Sequence, residues 1–181
     1  MPLNRIEIEI KLGRDRAWTL ETWAAYSATD LTRPLTVSRH DPAFRWSALD
    51  HLTHLAGIEV VFNDIIRRFI AGDPRPISIG FGENGERLSM PEIMARVHAL
   101  NDAYLHRHRD KTFAGVVTLG QTVRAETLSL LAGLSDEQIA QVIPGAPWAD
   151  GTSGGIIAIN GDHARQHHGW VTAALAKETA N

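Results

Sequence analysis

A stretch in the first half of the chain, residues 46–71, reads WSALDHLTHLAGIEVVFNDIIRRFIA. Its apolar residues recur at intervals of three and four, which places them on one face of an α-helix. Ser47 stands three residues before Asp50, a pair typical of a helix N-terminus, and Gly72-Asp73-Pro74 predicts the end of the helix. The stripe expected to face the core is formed by Leu52, Leu55, Ile58, Phe62, Ile65 and Phe69.

Three further segments carry helical patterns on either side of this one. The first extends from about Ile6 to Ser27 and the last from about Ser153 to Ala176. Between them, the capping-box pattern Ser89-Met90-Pro91-Glu92 opens a third helical region that runs to about Ala132, with a break or kink expected at 106–111. The pattern predicts an all-α protein built as a four-helix bundle.

The connections carry turn residues and short amphipathic pieces. Segment 75–88 predicts a short hairpin or an ordered loop, and Ser135-Asp136-Glu137-Gln138 predicts a short extra helix. No composition shift or internal repeat separates one part of the chain from another. We therefore expect residues 1–181 to form a single domain.

Three of the nine histidines are placed to meet inside the bundle. His163 and His167 are four residues apart, so on a helix they share one face and can supply two ligands to one divalent ion. His54 lies beside the apolar stripe of the earlier helix and points at or near the same interior. Buried imidazolium ions would repel one another, whereas a divalent ion binds the neutral rings. The pattern favours a metal site over an ordinary polar helix face.

Composition argues against several classes of function. The chain has no cysteine, so disulfides, cysteine-based zinc sites and a cysteine nucleophile are ruled out. A formal net charge of −3, and no basic patch with interleaved aromatic residues, predict no nucleic-acid partner. No run approaches the ~18 apolar residues of a membrane span, so no membrane partner is expected. Charges at Glu7, Glu9 and Lys11 argue against a signal peptide and for a cytoplasmic protein.

Two motifs resemble those of the DinB/YfiT-like superfamily. Segment 46–59, with its Trp-Ser start followed by Asp and His-Leu, is similar to the second-helix motif of that family. Segment 162–171, with its Asp-His start and a closing Trp-Val, is similar to the last-helix motif. Segments 30–34 and 128–138 are also similar, so the resemblance covers nearly the whole chain. It implies an up-down-down-up four-helix bundle with a metal between the second and last helices.

Carried over position by position, the resemblance implies His54, His163 and His167 as the metal ligands. His51, one turn earlier, is the alternative to His54, and His168 is the alternative at the C-terminal end. His168 points about 100° away from its neighbour, which favours a solvated or supporting position. Three imidazoles leave at least one coordination position open. The ligand set suits Zn, Ni, Co or Fe, with Zn or Ni expected.

Several members of the superfamily resemble thiol-dependent transferases or isomerases that use mycothiol, bacillithiol or a related thiol. The resemblance therefore implies a metal-dependent enzyme, of transferase, isomerase or hydrolase type, with a small-molecule substrate and an external low-molecular-weight thiol. One alternative is a non-catalytic stress or self-protection protein that sequesters a small molecule. Another is an interaction module with a structural metal. A homodimer is also expected, and no catalytic residue is assigned.

Side chains around the ligands have weaker expectations. Asp50 is the first candidate for a carboxylate that holds the free ring nitrogen of His54, and Asp162 and Glu59 are the others. For each, a solvated carboxylate on a helix surface is the competing interpretation. The tryptophans expected at the border of the site are Trp46 and Trp170. Candidates for a pocket are Asn160, Gln121 and Arg124. The histidines expected at a solvated surface are His98, His106 and His108.

Overall fold

Short polar caps and continuous apolar faces divide the chain into helices joined by tight connections. The computed structural model describes residues 3–179, with side chains for residues 3–177. Its helices are α1 (Arg5–Ala24), α2 (Ala28–Thr32), α3 (Ala48–Ile70), α4 (Met90–His108), α5 (Phe113–Gly133), α6 (Asp136–Ala140), α7 (Ser153–Ala158) and α8 (Asn160–Thr179). An antiparallel pair of short strands, β1 (Thr36–Val37) and β2 (Arg45–Trp46), and a 3-10 turn, Ser78–Gly80, lie in the connections.

The start of α3 is a capping box, as predicted. The Ser47 backbone N–H donates to Asp50 Oδ2 at 2.7 Å, and the Asp50 backbone N–H donates to Ser47 Oγ at 3.1 Å. These bonds satisfy N–H groups that have no partner within the helix. The carboxylate of Asp50 is therefore used at its own helix end.

The long helices α1 and α8 run in the same direction, side by side. Lys11 pairs with Asp162 at 3.2 Å, and one turn further along both helices Asp15 pairs with Arg165 at 2.9 Å. In these two pairs the residue numbers increase together along both helices, which shows that α1 and α8 are parallel.

The helices α3 and α5 complete the bundle and run against this first pair. Glu59 in the middle of α3 meets Asn160 at the start of α8, whereas His51 near the start of α3 meets His167 further along α8, so α3 and α8 are antiparallel. Glu59 also meets Arg124 and Asn63 meets Thr127, so α3 and α5 are parallel. The expected all-α bundle of up-down-down-up order is confirmed.

The helix α4 returns the chain to the starting end of α3, and the break expected at 106–111 is confirmed, because α4 ends at His108. Its start lies near the end of α3, where Arg68 donates to Ser78 and Arg96 donates to Phe81. A turn at 109–112 then separates it from α5. Two parallel neighbours need a crossover between them, and α4 supplies it.

Two apolar clusters fill the two ends of the bundle, and a polar layer crosses it between them. The layer contains Asp15, Glu59, Arg124, Thr127 and Asn160, one or two from each long helix. One apolar cluster includes Ile8, Phe62, Leu131 and Ile156, and the other includes Trp23, Leu52, Val116 and Val171. Packing of these clusters supplies most of the hydrophobic stabilisation.

Two predicted helices differ from the structure in their bounds. The expected helix 6–27 ends at Ala24, and the short helix α2 follows where a loop was expected, because Ser27 Oγ accepts from the Asp30 backbone N–H at 3.1 Å and caps a new helix. The expected helix 153–176 becomes α7 and α8. The second helix of that pair begins at Asn160, whose side chain turns into the polar layer.

The small β1–β2 sheet falls where a loop was expected, and it pairs Thr36 with Trp46. Segment 75–88 contains instead the 3-10 turn and a single bridge between Phe81 and Arg87, so it is an ordered loop closed by one β-bridge. Within residues 3–179 no helix is both long and apolar enough to cross a membrane.

Candidate metal centre

Four histidines from α3 and α8 meet at the interface of these two helices. The Nε2 atoms of His163 and His167 are 2.9 Å apart. One ring nitrogen from each of His54, His163 and His167 lies within 4.8 Å of the other two. Through the other nitrogen of its ring, His167 places Nδ1 2.7 Å from Nδ1 of His51. The residues proposed as ligands thus come together, and His51 lies behind one of them.

Histidines on α3 are buried because that helix is enclosed by its neighbours. Residues 51–57 of α3 are all buried, since the helix packs against α4, α5 and α8. Close approach of α4 requires Gly57, where a Cβ would lie 2.9 Å from the Tyr104 ring. On α8 the exposed fraction of His167 is 2%, whereas His163 is only half-buried. His163 therefore marks the more open side of the cluster.

Burial keeps the four imidazoles neutral. Desolvation, followed by the neighbouring histidines, lowers the pKa of His54 to about 3, and desolvation lowers the pKa of His163 to about 4. Desolvation and then His163 lower the pKa of His51 to about 4. The pKa of His167 is lowered further, by desolvation and by its three histidine neighbours. A neutral imidazole has a free lone pair, which is the form that a metal ion binds.

Only neutral partners surround the cluster. In the part of the chain that the structure describes, the hydrogen bonds of the four rings go to one another and to Thr36, whose Oγ1 lies 2.8 Å from Nε2 of His51. Two nitrogens on one zinc ion, with bonds of ~2.0–2.1 Å, are roughly 3.3 Å apart. The 2.9 Å separation of the His163 and His167 nitrogens is close to that value. The donor set therefore fits one divalent ion of borderline softness.

The three carboxylates expected beside the ligands have other partners. Asp50 closes the N-terminus of α3. Asp162 is 63% exposed and pairs with Lys11 and Arg165 on the bundle surface. Glu59 lies in the polar layer, so within the described residues none of the three candidates is hydrogen-bonded to a ligand imidazole, and the surface interpretation holds for Asp162.

Glu59 is the centre of a closed network. Arg124 Nε and Thr127 Oγ1 both donate to Glu59 Oε1 at 2.6 Å. Asn160 Nδ2 donates to Glu59 Oε2 at 2.8 Å, and Arg124 Nη2 donates to the same oxygen at 3.2 Å. The buried carboxylate thus has a charged partner and two neutral donors, the arrangement that a buried ion needs.

A small cavity of about 20 Å³ lies in the polar layer, and Arg124 and Asn160 are among the residues that line it. Both were candidates for pocket residues, and the structure places them around Glu59. Gln121, the third candidate, is exposed on α5.

Two tryptophans border the histidine cluster, as expected from their neighbours in sequence. The Trp46 ring centroid lies 5.1 Å from that of His54 and stacks at 6.4 Å on His167, while Trp170 meets His167 edge-on at 4.6 Å. Trp46 Nε1 donates to Asp102 Oδ1 of α4 at 2.9 Å. The buried Asp102 thus fixes one aromatic wall of the site.

The remaining histidines lie elsewhere. His168 faces the aromatic side chains of α1, with its centroid 5.5 Å from Trp18 and 5.7 Å from Trp23. His106 stacks on Phe44 at 4.4 Å, at an open cleft of about 440 Å³ between α4 and the loop that joins β1 to β2. His98 and His108 are half-buried on α4, and His98 lies near enough to His54 to contribute to its lowered pKa.

Thr36 and Asp102 are the supporting residues that sequence reasoning missed. Each reaches the site from a distant part of the chain, Thr36 from a two-residue strand and Asp102 from the return helix. A lone threonine in a loop carries no periodic signal. The sequence signal for Asp102 was its spacing: it lies three residues before the apolar Leu105, which puts both on one face of α4. In the structure both residues are buried.

A family model described as the DinB superfamily matches residues 11–171, so the chain belongs to the DinB superfamily. No curated protein matches the sequence. The motifs at the two ligand-bearing helices both fall within the matched range.

Solved structures of the same fold are similar over nearly their whole length. An uncharacterised protein from Escherichia coli UTI89 is 16% identical with a TM-score of 0.61, over 99% of this chain and 96% of that one. The colibactin self-resistance protein ClbS, in complex with a dsDNA, is 13% identical with a TM-score of 0.66, over 96% of both chains. The sibling lethal factor precursor DfsB is 11% identical with a TM-score of 0.65, over 98% of both.

The expectation of no nucleic-acid partner is overturned by the ClbS structure. That protein has the same fold and was determined in complex with a dsDNA. A net charge of −3 and the lack of a basic, aromatic patch were therefore insufficient grounds for excluding nucleic acid. Net charge reports the average field, whereas DNA contacts depend on where the cations lie.

Proposed function

We propose that this DinB-superfamily protein binds one divalent metal ion through His54, His163 and His167 and is a metal-dependent enzyme acting on a small molecule. The observation that carries the proposal is the convergence of three neutral ring nitrogens within 4.8 Å of one another. Zn or Ni is the expected ion. Three protein ligands leave room for water, substrate or an external thiol at the open position.

A bound ion would supply Lewis acidity, lowering the pKa of water or thiol at its open position. The protein's own contribution is to keep the three imidazoles neutral, orient them and flank them with Trp46 and Trp170. Because the chain has no cysteine, a thiol must come from a second molecule. The reaction we expect is a thiol-dependent transfer, isomerisation or detoxification, which is what the resemblance to the superfamily implies.

Metal analysis tests the binding step. The purified protein, before and after loading with Zn²⁺ or Ni²⁺ and dialysis, is expected to retain about one ion per chain. His163→Ala is expected to retain none, whereas His106→Ala, which removes a ring that stacks on Phe44, is expected to bind like the parent. A loaded parent protein without stoichiometric metal overturns the proposal.

Chelation separates a catalytic ion from a structural staple. The two apolar clusters and the Glu59 network hold the bundle without the histidines, so the chelated protein is expected to keep its helical circular dichroism. A structural metal would instead make folding depend on the ion. Loss of helicity on chelation would therefore favour the interaction-module alternative.

Turnover is tested with the loaded protein, a low-molecular-weight thiol and a panel of electrophiles. Thiol-dependent product formation that is lost in His163→Ala supports the enzyme. Stoichiometric binding without turnover supports a protein that sequesters a reactive molecule, an alternative to which the self-resistance role of ClbS lends weight.

Contact with dsDNA is a second candidate function, suggested by the ClbS complex. Three cationic side chains, Arg107, Arg109 and Lys111, lie close together in sequence at the end of α4 and in the turn after it. Phosphate contacts by such residues give binding that weakens steeply with salt. Fluorescence anisotropy with a dsDNA duplex, comparing the parent with Arg107→Glu/Arg109→Glu, would test it, and equal binding by both would reject this surface.

Three simpler expectations stay predictions: a single domain, a homodimer and a cytoplasmic location. Light scattering of the purified protein would measure the oligomeric state, and cell fractionation would measure the location.

A further inference from the structure

We infer that His51 is a positioning residue that, together with Thr36, fixes the tautomer and ring orientation of His167. The inference rests on the proposed metal site and deepens it. It assigns a role to the histidine that sequence reasoning left as a rival ligand.

The two nitrogens of His167 face different partners. Nε2 is 2.9 Å from Nε2 of His163, another member of the candidate ligand group. Nδ1 is 2.7 Å from Nδ1 of His51, which is a hydrogen-bond distance. His51 therefore contacts the ring nitrogen of His167 other than the one that contacts His163.

The hydrogen-bond directions follow from counting protons on neutral rings. Each neutral imidazole carries one N–H donor and one acceptor nitrogen. If Nε2 of His167 keeps its lone pair for the ion, its Nδ1–H must donate to Nδ1 of His51. His51 then carries its proton on Nε2 and donates it to Thr36 Oγ1, 2.8 Å away. A single chain of bonds, from Thr36 through His51 to His167, specifies all three groups.

Histidine ligands usually donate their free N–H to a carboxylate, a carbonyl or water. Here a neutral imidazole takes that place, and none of the three candidate carboxylates does. Both His51 and His167 are 2% exposed, so water does not compete freely for these bonds. The arrangement leaves the ligand neutral overall, without the extra negative charge that a carboxylate would add.

The test uses Co²⁺ and Zn²⁺ titrations of the full chain, with the visible Co²⁺ spectrum as a report of ligand geometry. His51→Leu, which cannot accept from His167, is expected to weaken metal binding tenfold to a hundredfold and change the spectrum. His51→Asn, whose carbonyl oxygen can accept that bond, is expected to recover most of the affinity. Thr36→Val is expected to weaken binding less, and Thr36→Ser, which keeps the hydroxyl, is expected to match the parent.

The outcomes separate this inference from the proposed metal site. If the parent protein binds no metal, as is expected of His163→Ala, both the proposed metal site and the role of His51 are rejected. A parent that binds metal, with His51→Leu and Thr36→Val showing the parent affinity and Co²⁺ spectrum, rejects the inference alone. Circular dichroism checks that His51→Leu is folded. If it is not, the Thr36→Val and Thr36→Ser pair decides, since Thr36 lies in a two-residue strand outside the bundle.

Discussion

The helix α3 contributes to two buried polar clusters that are built on opposite principles. Around Glu59, one carboxylate is surrounded by an arginine, a hydroxyl and an amide, and each of its oxygens accepts two bonds. Around His54, little more than one turn away, neutral imidazoles face one another. The first cluster has its counter-charge built in, whereas the second offers several lone pairs and no cation.

This difference indicates what each cluster is for. A buried carboxylate with its own cation and two hydrogen bonds to each oxygen stabilises the arrangement of helices and does not need a further cation. A group of desolvated imidazoles is stabilised by a divalent ion, because the ion binds the neutral rings and prevents the protonation that would make them repel one another. Buried polar residues alone therefore do not mark a site, and the balance of donors, acceptors and charge separates a brace from a binding centre.

Breaking the Glu59 network should have the largest effect on stability. Glu59→Leu leaves the Arg124 guanidinium without its carboxylate in the core, and we expect a loss of roughly 3–5 kcal/mol in the free energy of unfolding, measured by urea denaturation. The double variant Glu59→Leu/Arg124→Leu should recover much of this loss, because it removes both charges. A single variant as stable as the parent would contradict the view of this cluster as a brace.

Removing a ligand should affect binding rather than folding. His163→Ala is expected to weaken Zn²⁺ binding by more than the ten- to hundredfold that loss of an outer partner costs, measured by competition with a chromophoric chelator. Its unfolding midpoint without metal should stay near that of the parent, since His163 is only half-buried. His168→Ala, on the neighbouring residue but facing Trp18, is the matched control and should bind like the parent.

The metal-free protein should lose stability in mild acid. In the unfolded chain, histidine binds a proton below about pH 6.5. In the folded state the pKa of His54 is about 3 and that of His163 about 4, so these rings stay unprotonated until the pH is much lower. Stability therefore falls as the pH drops from about 6.5 toward 4, by roughly 2 kcal/mol per buried histidine at pH 5. Urea denaturation in chelator at pH 7 and pH 5 measures this loss.

The variant that isolates this effect is His163→Gln. It should lose less stability than the parent between pH 7 and pH 5, because one histidine whose pKa is lowered by folding has been removed. An equal loss in both proteins would show that protonation of His163 does not limit the folded state.

The smallest effect is expected at Asp50, the first of the three candidate carboxylates for a contact with His54. Asp50→Ala removes one side of the capping box and should cost about 1 kcal/mol of stability, measured by thermal or urea denaturation. Its affinity for Zn²⁺ should equal that of the parent. A tenfold loss of affinity would restore Asp50 to the site and contradict its assignment as a helix cap.

The bundle and the convergence of His54, His163 and His167 were predictable because both follow helical periodicity. A stripe on one helix and an i, i+4 pair on another determine which faces meet. Non-local features escaped prediction for a physical reason. The return of the chain through α4, the burial of His51 on every side, and the contact from Thr36 depend on packing between distant segments.

The hydrogen bond from Asn160 to Glu59 also determines the position of α8 along the length of α3. Asn160 is three residues before His163 on α8, and Glu59 is five residues after His54 on α3. Sliding α8 along α3 by one turn, about 5.4 Å, would separate the amide from the carboxylate and bring His163 to the level that His167 now occupies. An apolar core at this level would tolerate either alignment, because hydrocarbon contacts are not directional. The polar layer therefore selects the one vertical alignment in which both histidines of α8 face His54.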